Sequence, residues 1–104
     1  MKKFLALVAA LVMILSCTAA MADDIIYVAT NPEYPPFESV ADDGETIVGY
    51  EVDLLNAIAE KAGIEYKFES MQFASVVSSV QANPDTIGLS GISITPARQL
   101  EVNF

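Results

Sequence analysis

Residues 49–69 read GYEVDLLNAIAEKAGIEYKFE, and the spacing of their apolar side chains indicates two successive elements of secondary structure. Between Tyr50 and Ala62, apolar residues recur at three- and four-residue steps, which predicts a helix with one apolar face. Gly63 comes directly after this pattern, where a glycine can adopt the left-handed conformation that ends a helix. Residues 65–69 then alternate between polar and apolar side chains, as a half-buried strand does. The stretch therefore predicts a helix followed by a strand.

The alternation of strands and helices continues on both sides of this stretch. The predicted elements are a buried strand at residues 25–29, a long proline-punctuated loop at 31–48 with a short hairpin around 42–44, a second helix at 73–80 ended by Asn83-Pro84-Asp85, a strand at 86–89, a short helix from Thr95-Pro96 through about Leu100, and a further strand beginning at 102–104. Strands that alternate with helices predict an α/β domain with a mainly parallel sheet.

The first 22 residues have the pattern of a secretory signal peptide. Lys2 and Lys3 precede an apolar run of 12 residues, Phe4 to Leu15, which is shorter than the roughly 20 residues that span a bilayer. Ala20-Met21-Ala22 matches a cleavage site of the A-x-A type. We therefore expect residues 1–22 to be the signal peptide and residues 23–104 to form the exported domain.

A second interpretation of the same segment depends on Cys17. The residues Ile14-Leu15-Ser16-Cys17 resemble a bacterial lipobox, in which the cysteine is lipidated and becomes the first mature residue. Simple cleavage predicts a free periplasmic or extracellular protein, whereas lipidation predicts an anchor in the cell membrane.

The composition of the 104 residues excludes several function classes. The chain has 14 acidic and 5 basic residues, one Cys and no His. One Cys without any His builds neither an internal disulfide nor a Cys/His zinc site. Catalytic arrangements that need a His are excluded for the same reason, and five basic residues give no electrostatic footprint for nucleic acid. We therefore expect no metal, no cofactor and no catalytic residue.

Two loops follow predicted strands, at the end of the sheet where ligands bind in α/β proteins. The first, Asn31 to Phe37, has prolines that would hold Tyr34 in a fixed place for stacking on a ligand. The second, Ser90 to Arg98, combines hydroxyl groups, a glycine and a capped helix start that suits an anion, and its arginine can fork onto a carboxylate. From pattern alone, the favoured interpretation is that Tyr34 and Phe73 are core residues and that the second loop is a capped surface turn with a solvated arginine.

The segments YVATNPEYPPFE, GYEVDLLNAIAEKAGIEYKFE, MQFASVVSSVQ and LSGISITPARQLEVNF, in this order after a signal peptide, resemble the bacterial extracellular solute-binding proteins of family 3. These are the polar amino-acid binding components of ABC transporters. The resemblance implies a periplasmic-binding-protein-like fold of type II, in which two α/β lobes close on the ligand. It covers residues 25–104 and the first part of the first lobe.

The resemblance also implies a ligand site. Arg98 would hold the α-carboxylate of an amino acid, Ser90, Gly91 and Ser93 would hold its carboxylate and amino groups, and Tyr34 and Phe73 would pack on it. Asn31 would reach the ligand's side chain. Several relatives have an acidic residue at that position, so the neutral Asn31 makes a cationic side chain less favoured. The expected ligand-binding residues are Asn31, Tyr34, Phe73, Ser90, Gly91, Ser93 and Arg98.

The family's first lobe continues beyond residue 104, and its second lobe supplies an acid for the ligand's ammonium group. The chain is therefore expected to be a partial first lobe that lacks the closing half, and whether it acts alone stays open. The expected partners are an amino acid and a membrane permease, and we expect a monomer that meets the membrane only through a lipid anchor or the permease. Two alternatives remain, an exported dehydratase or peptidoglycan-cleaving enzyme of similar fold and the sensory domain of a receptor.

Overall fold

The structure is a computed structural model that describes residues 24–104. The predicted signal peptide and Cys17 lie outside the described residues. The described elements are β1 (Ile25–Thr30), β2 (Glu33–Tyr34), β3 (Glu38–Val40), β4 (Ile47–Val48), α1 (Tyr50–Ala62), β5 (Glu65–Ser70), α2 (Phe73–Ala82), β6 (Thr86–Gly88) and α3 (Pro96–Gln99). Within this part of the chain, no helix has the length and apolar character needed to cross a membrane.

The central sheet is parallel and has the strand order β5-β1-β6. Ile25 pairs with Glu65 at one end of the β1–β5 ladder and Thr30 with Ser70 at the other. β1 lies in the middle, and Val28 and Ala29 on it are fully buried. The prediction of an α/β domain with a mainly parallel sheet is therefore confirmed, and the loops after β1 and β6 leave the same edge of the sheet.

The long loop between β1 and α1 forms a small antiparallel sheet of its own, with the order β2-β3-β4. The turn between β3 and β4 is closed by Asp43, whose carboxylate accepts hydrogen bonds from the backbone N–H groups of Glu45 and Thr46 at 2.9 and 2.8 Å. A hydrogen bond from the Thr46 hydroxyl, with these two backbone hydrogen bonds, holds the pKa of Asp43 below its ordinary value. The hairpin predicted around residues 42–44 is confirmed.

The helices begin and end close to the predicted residues. Helix α1 ends at Gly63, which has a φ of 68°, so the predicted left-handed cap is confirmed. Its first N–H groups have no side-chain cap. Instead, the N–H groups of Tyr50 and Glu51 donate to the carbonyls of Pro36 and Phe37, at 2.9 and 3.0 Å. The start of α1 is thereby tied to the loop that carries the first predicted binding residues.

Two expectations were wrong, one about a strand and one about the buried face of a helix. Residues 102–104 form no strand, because the chain continues in a turn there and the Val102 N–H donates to the Arg98 carbonyl at 2.9 Å. On α1, the buried face is narrower than the predicted apolar stripe. Val52, Leu55 and Ala59 are buried, whereas Ile58, which falls at the same helical spacing, is 51% exposed.

Candidate functional site

The two predicted binding loops meet where β1 and β6 end. The Asn31 N–H donates to Ser90 Oγ at 2.9 Å, and the Ser90 hydroxyl lies 3.3 Å from the Asn31 carbonyl. Ser90 is 3% exposed, so this contact is shielded from water. Residues 59 positions apart are therefore fixed side by side at the carboxyl edge of the sheet.

A cavity of about 280 Å³ opens between these loops. It is lined by Asn31, Glu33, Tyr34, Phe73, Ser90 and Gly91, and we call it the small cavity. Five of its six lining residues belong to the predicted set. Tyr34 is 52% and Phe73 42% exposed, which favours cavity walls over core anchors for both rings. The roles of these residues toward a ligand stay predictions.

Gly91 is the position at which this cavity needs a glycine. Its φ is +55°, in the left-handed region that favours glycine. A Cβ built there would lie 2.7 Å from the ring of Tyr34. Tyr34 in turn stacks on Phe37, with ring centroids 5.1 Å apart. The wall of the small cavity is therefore an aromatic ring placed directly against backbone.

Arg98 joins the site through Phe73. Its guanidinium lies 5.5 Å from the centroid of the Phe73 ring, which is the distance of a cation–π contact. Among the described residues, its side chain donates a hydrogen bond from Nη1 to the Ser93 carbonyl at 2.9 Å. Both contacts place the guanidinium next to an aromatic wall of the small cavity, beside Ser93.

The capped helix start in the second loop is present but short. Thr95 accepts the Arg98 N–H at 3.2 Å and Pro96 is the first helical residue, as predicted. Helix α3 has four residues, and the capping hydroxyl already takes one of its N–H groups. The positive charge offered to an anion here is therefore mainly the side chain of Arg98.

A second, open cavity of about 670 Å³ adjoins the first. It shares Asn31, Glu33 and Phe73 with the small cavity, and we call it the large cavity. Its further lining residues are Pro32, Val40, Ser70, Met71, Gln72 and Ala74. The Asn31 amide donates to the Met71 carbonyl at 3.0 Å, so its orientation between the two cavities is fixed.

An acid pair lies under the second loop. The Gly91 N–H donates to both carboxylate oxygens of Glu51, at 3.2 and 3.1 Å. Next to Glu51 lies Glu38, which is 1% exposed and whose two oxygens have no hydrogen-bond partner among residues 24–104. Burial and the adjacent Glu51 raise the pKa of Glu38 to about 8, against a smaller lowering by the Ser90 hydroxyl.

Sequence reasoning missed three acidic residues of this region. None of Glu33, Glu38 and Glu51 was among the expected ligand-binding residues. The tie between the start of α1 and the Phe37 carbonyl brings Glu51 beside Glu38, and this contact depends on the fold of the loop. For Glu33, the spacing of two residues from Asn31 in a predicted binding loop was an available signal.

A parallel α/β sheet with a polar cavity between the loops at its carboxyl edge is the arrangement of a ligand-binding lobe. The family model of the bacterial extracellular solute-binding proteins, family 3, matches residues 26–104. The chain belongs to this family, as its motifs predicted.

Among curated relatives, the arginine-binding extracellular protein ArtP of Bacillus subtilis is 32% identical over 112 aligned residues, covering 100% of this chain and 43% of the relative. Among solved structures, an ancestral arginine-binding protein bound to arginine is 31% identical with a TM-score of 0.73, covering 78% of this chain and 35% of that chain. The type II periplasmic-binding-protein fold is thereby confirmed. The chain spans less than half the length of these relatives.

Two further structures bear on function. The arginine-bound form of domain 1 from TmArgBP is 34% identical with a TM-score of 0.67, covering 74% of this chain and 60% of that chain. An ancestral cyclohexadienyl dehydratase is 27% identical with a TM-score of 0.66, covering 74% of this chain and 32% of that chain. The fold is therefore shared by binding proteins and by an enzyme.

Proposed function

We propose that the protein is an exported binding protein that captures an amino acid and delivers it to the permease of an ABC transporter. The observation that carries this proposal is the small cavity, which gathers residues of both predicted loops with Arg98 against its Phe73 wall. Membership of the family supports a solute-binding role.

In this proposal, Arg98 holds the α-carboxylate of the ligand. A guanidinium matches a carboxylate with two parallel hydrogen bonds, and the contacts to Ser93 and Phe73 reduce the freedom it would lose on binding. Ser93 adds a hydroxyl group at the same edge, and Ser90 lines the cavity while its own hydroxyl is bonded to the Asn31 backbone. Because the Gly91 N–H donates to Glu51, Gly91 offers the ligand its carbonyl as an acceptor. Its lack of a side chain also lets the Tyr34 ring lie directly against the loop.

We propose arginine as the amino acid. Proteins named for arginine binding occur repeatedly among the curated relatives, and the ancestral protein of similar structure is bound to arginine. The arginine-bound domain 1 from TmArgBP is a single domain, which supports ligand binding by a first lobe without its partner lobe. The neutral Asn31, which the sequence interpretation counted against a cationic ligand, does not exclude arginine, because the acid Glu33 lines the same two cavities.

Export, monomeric state and permease docking belong to the same proposal. The segment at residues 1–22 would direct the protein to the periplasm or cell exterior, either cleaved before Asp23 or anchored through a lipid on Cys17. Binding and lobe closure would present a loaded form to the permease, which is a hinge mechanism. The extracellular and periplasmic names of the relatives support this location.

An enzymatic role is the second candidate because of the dehydratase neighbour. An enzyme needs a titratable group that its substrate can reach. Glu38, with its pKa raised to about 8, has the property of a general acid, but it is 1% exposed beneath the loop. A substrate in the small cavity could not contact Glu38, although it could contact Glu33, so family membership and the names of the relatives, rather than the geometry, favour binding over catalysis.

Calorimetric titration of the purified protein with arginine, lysine, glutamine, glutamate and phenylalanine tests the proposed function. We expect arginine to bind with a dissociation constant on the order of micromolar, and phenylalanine to give no heat. The proposal would be contradicted if none of the five amino acids bound at millimolar concentration.

A further inference from the structure

Glu33 is the charged residue in the lining of both cavities. The small cavity has Glu33 among Asn31, Tyr34, Phe73, Ser90 and Gly91. Every other lining residue of the large cavity is uncharged as well. The acid therefore lies where the two cavities share a wall.

The two cavities adjoin through three shared lining residues, Asn31, Glu33 and Phe73. Ser90 and Gly91 line the small cavity, where the carboxylate and ammonium groups are expected to bind. The large cavity extends from the shared residues toward the ends of β1 and β5, where Ser70 and Met71 lie. A ligand held by its α-groups in the small cavity would therefore extend its side chain past Glu33 into the large cavity.

Two side chains of opposite charge, Arg98 and Glu33, lie near Phe73. The Arg98 guanidinium lies over the Phe73 ring, whereas Glu33 lines the cavities that this ring helps to form. A ligand with a carboxylate at one end and a cation at the other meets an opposite charge at each end. A ligand with an acidic side chain would meet Glu33 with the wrong sign.

We propose that Glu33 is the specificity-determining residue of this site and selects amino acids with a cationic side chain. This inference rests on the proposed function. Asn31 supports the selection as a neutral acceptor. Its side-chain NH₂ donates to the Met71 carbonyl, so its Oδ1 remains to accept a hydrogen bond from a cationic side chain.

The test compares arginine with citrulline, which has nearly the same shape but a neutral side chain. Both ligands are titrated calorimetrically into wild-type protein, Glu33→Gln and Glu69→Gln. Glu69 is an exposed acid on β5 that lines neither cavity, so its variant controls for the loss of one negative charge.

We expect the wild type and Glu69→Gln to bind arginine at least about fivefold more tightly than citrulline, the size of a partly exposed ion pair with good geometry. Glu33→Gln should bind citrulline as the wild type does and lose most of the preference for arginine. Added salt should reduce the preference in the wild type and leave it unchanged in Glu33→Gln.

Two results would overturn the inference and leave the proposed function standing. One is equal affinity of the wild type for arginine and citrulline, and the other is an unchanged preference in Glu33→Gln. If the wild type bound neither ligand nor any other amino acid, the proposed function would fail and the inference with it.

Discussion

The backbone N–H of Gly91 is held by both carboxylate oxygens of Glu51, at 3.2 and 3.1 Å, across 40 residues of sequence. Glu51 is in the first turn of α1, and Gly91 is in the loop after β6. The contact fixes the backbone of the second binding loop against the helix that follows the first. It makes Glu51 a positioning residue for the site, since it lines neither cavity.

Replacement of Glu51 by Ala should weaken amino-acid binding by about tenfold. A hydrogen bond to a charged acceptor contributes about 1.5–3 kcal/mol. Without it, the loop conformation that binds the ligand would be less stable by part of this amount. The matched control is Asp53→Ala, an exposed acid in the same helical turn. Calorimetry gives the affinities, and faster hydrogen exchange of the Gly91 amide in Glu51→Ala would show that the loop itself has loosened. Equal affinities in the two variants would contradict the positioning role.

The raised pKa of Glu38 makes the stability of the protein depend on pH. Its pKa of about 8 lies above the unfolded value of 4.5, so the folded state binds more protons than the unfolded state between these values. The stability contributed by protonated Glu38 is therefore complete below about pH 4.5 and is lost as the pH rises through about 8. The slope contributed by one proton is at most about 1.4 kcal/mol per pH unit.

Urea unfolding of the wild type and Glu38→Gln at pH 5, 6, 7 and 8 measures this dependence. The free energy of unfolding should fall more steeply with pH in the wild type than in Glu38→Gln, because glutamine has no proton to lose. Asp42→Asn, which removes an exposed acid from the hairpin turn, is the control and should keep the wild-type slope. Parallel curves for wild type and Glu38→Gln would mean that Glu38 is ionised throughout.

Gly91→Ala should abolish most amino-acid binding. The added Cβ would lie 2.7 Å from the Tyr34 ring, and the φ of +55° disfavours any side chain there. Either the ring or the loop must move, and both line the small cavity. Gly44→Ala is the control, because Gly44 has a similar φ of 76° in the hairpin turn with open space around it. We expect Gly44→Ala to lower stability by about 1 kcal/mol and to leave affinity unchanged. Wild-type affinity in Gly91→Ala would show that Tyr34 does not form a fixed wall.

The sequence predicted the elements whose signals are local. The periodicity of α1, the glycine at its end and the Thr95 cap of α3 were all found where expected. Five of the six residues that line the small cavity were also predicted, with the help of the family's motifs, whereas Glu33 was not. The acid pair was not, because it depends on the β1–α1 loop folding back on the start of α1. The exposure of Ile58 on α1 was also missed, because helical periodicity indicates an apolar face and does not show how much of that face other elements cover.

The proposed function depends most on the contact between Arg98 and the α-carboxylate of the ligand. Arginine and agmatine, which lacks only the carboxylate, separate this contact from all others. Titration of the wild type and Arg98→Ala with both ligands therefore gives the most direct test, with Lys67→Ala on the exposed side of β5 as the control. We predict that the wild type and Lys67→Ala bind arginine at least about 100-fold more tightly than agmatine, the effect of a charged bidentate contact. In Arg98→Ala this preference should disappear. An undiminished preference for arginine over agmatine in Arg98→Ala would contradict the account.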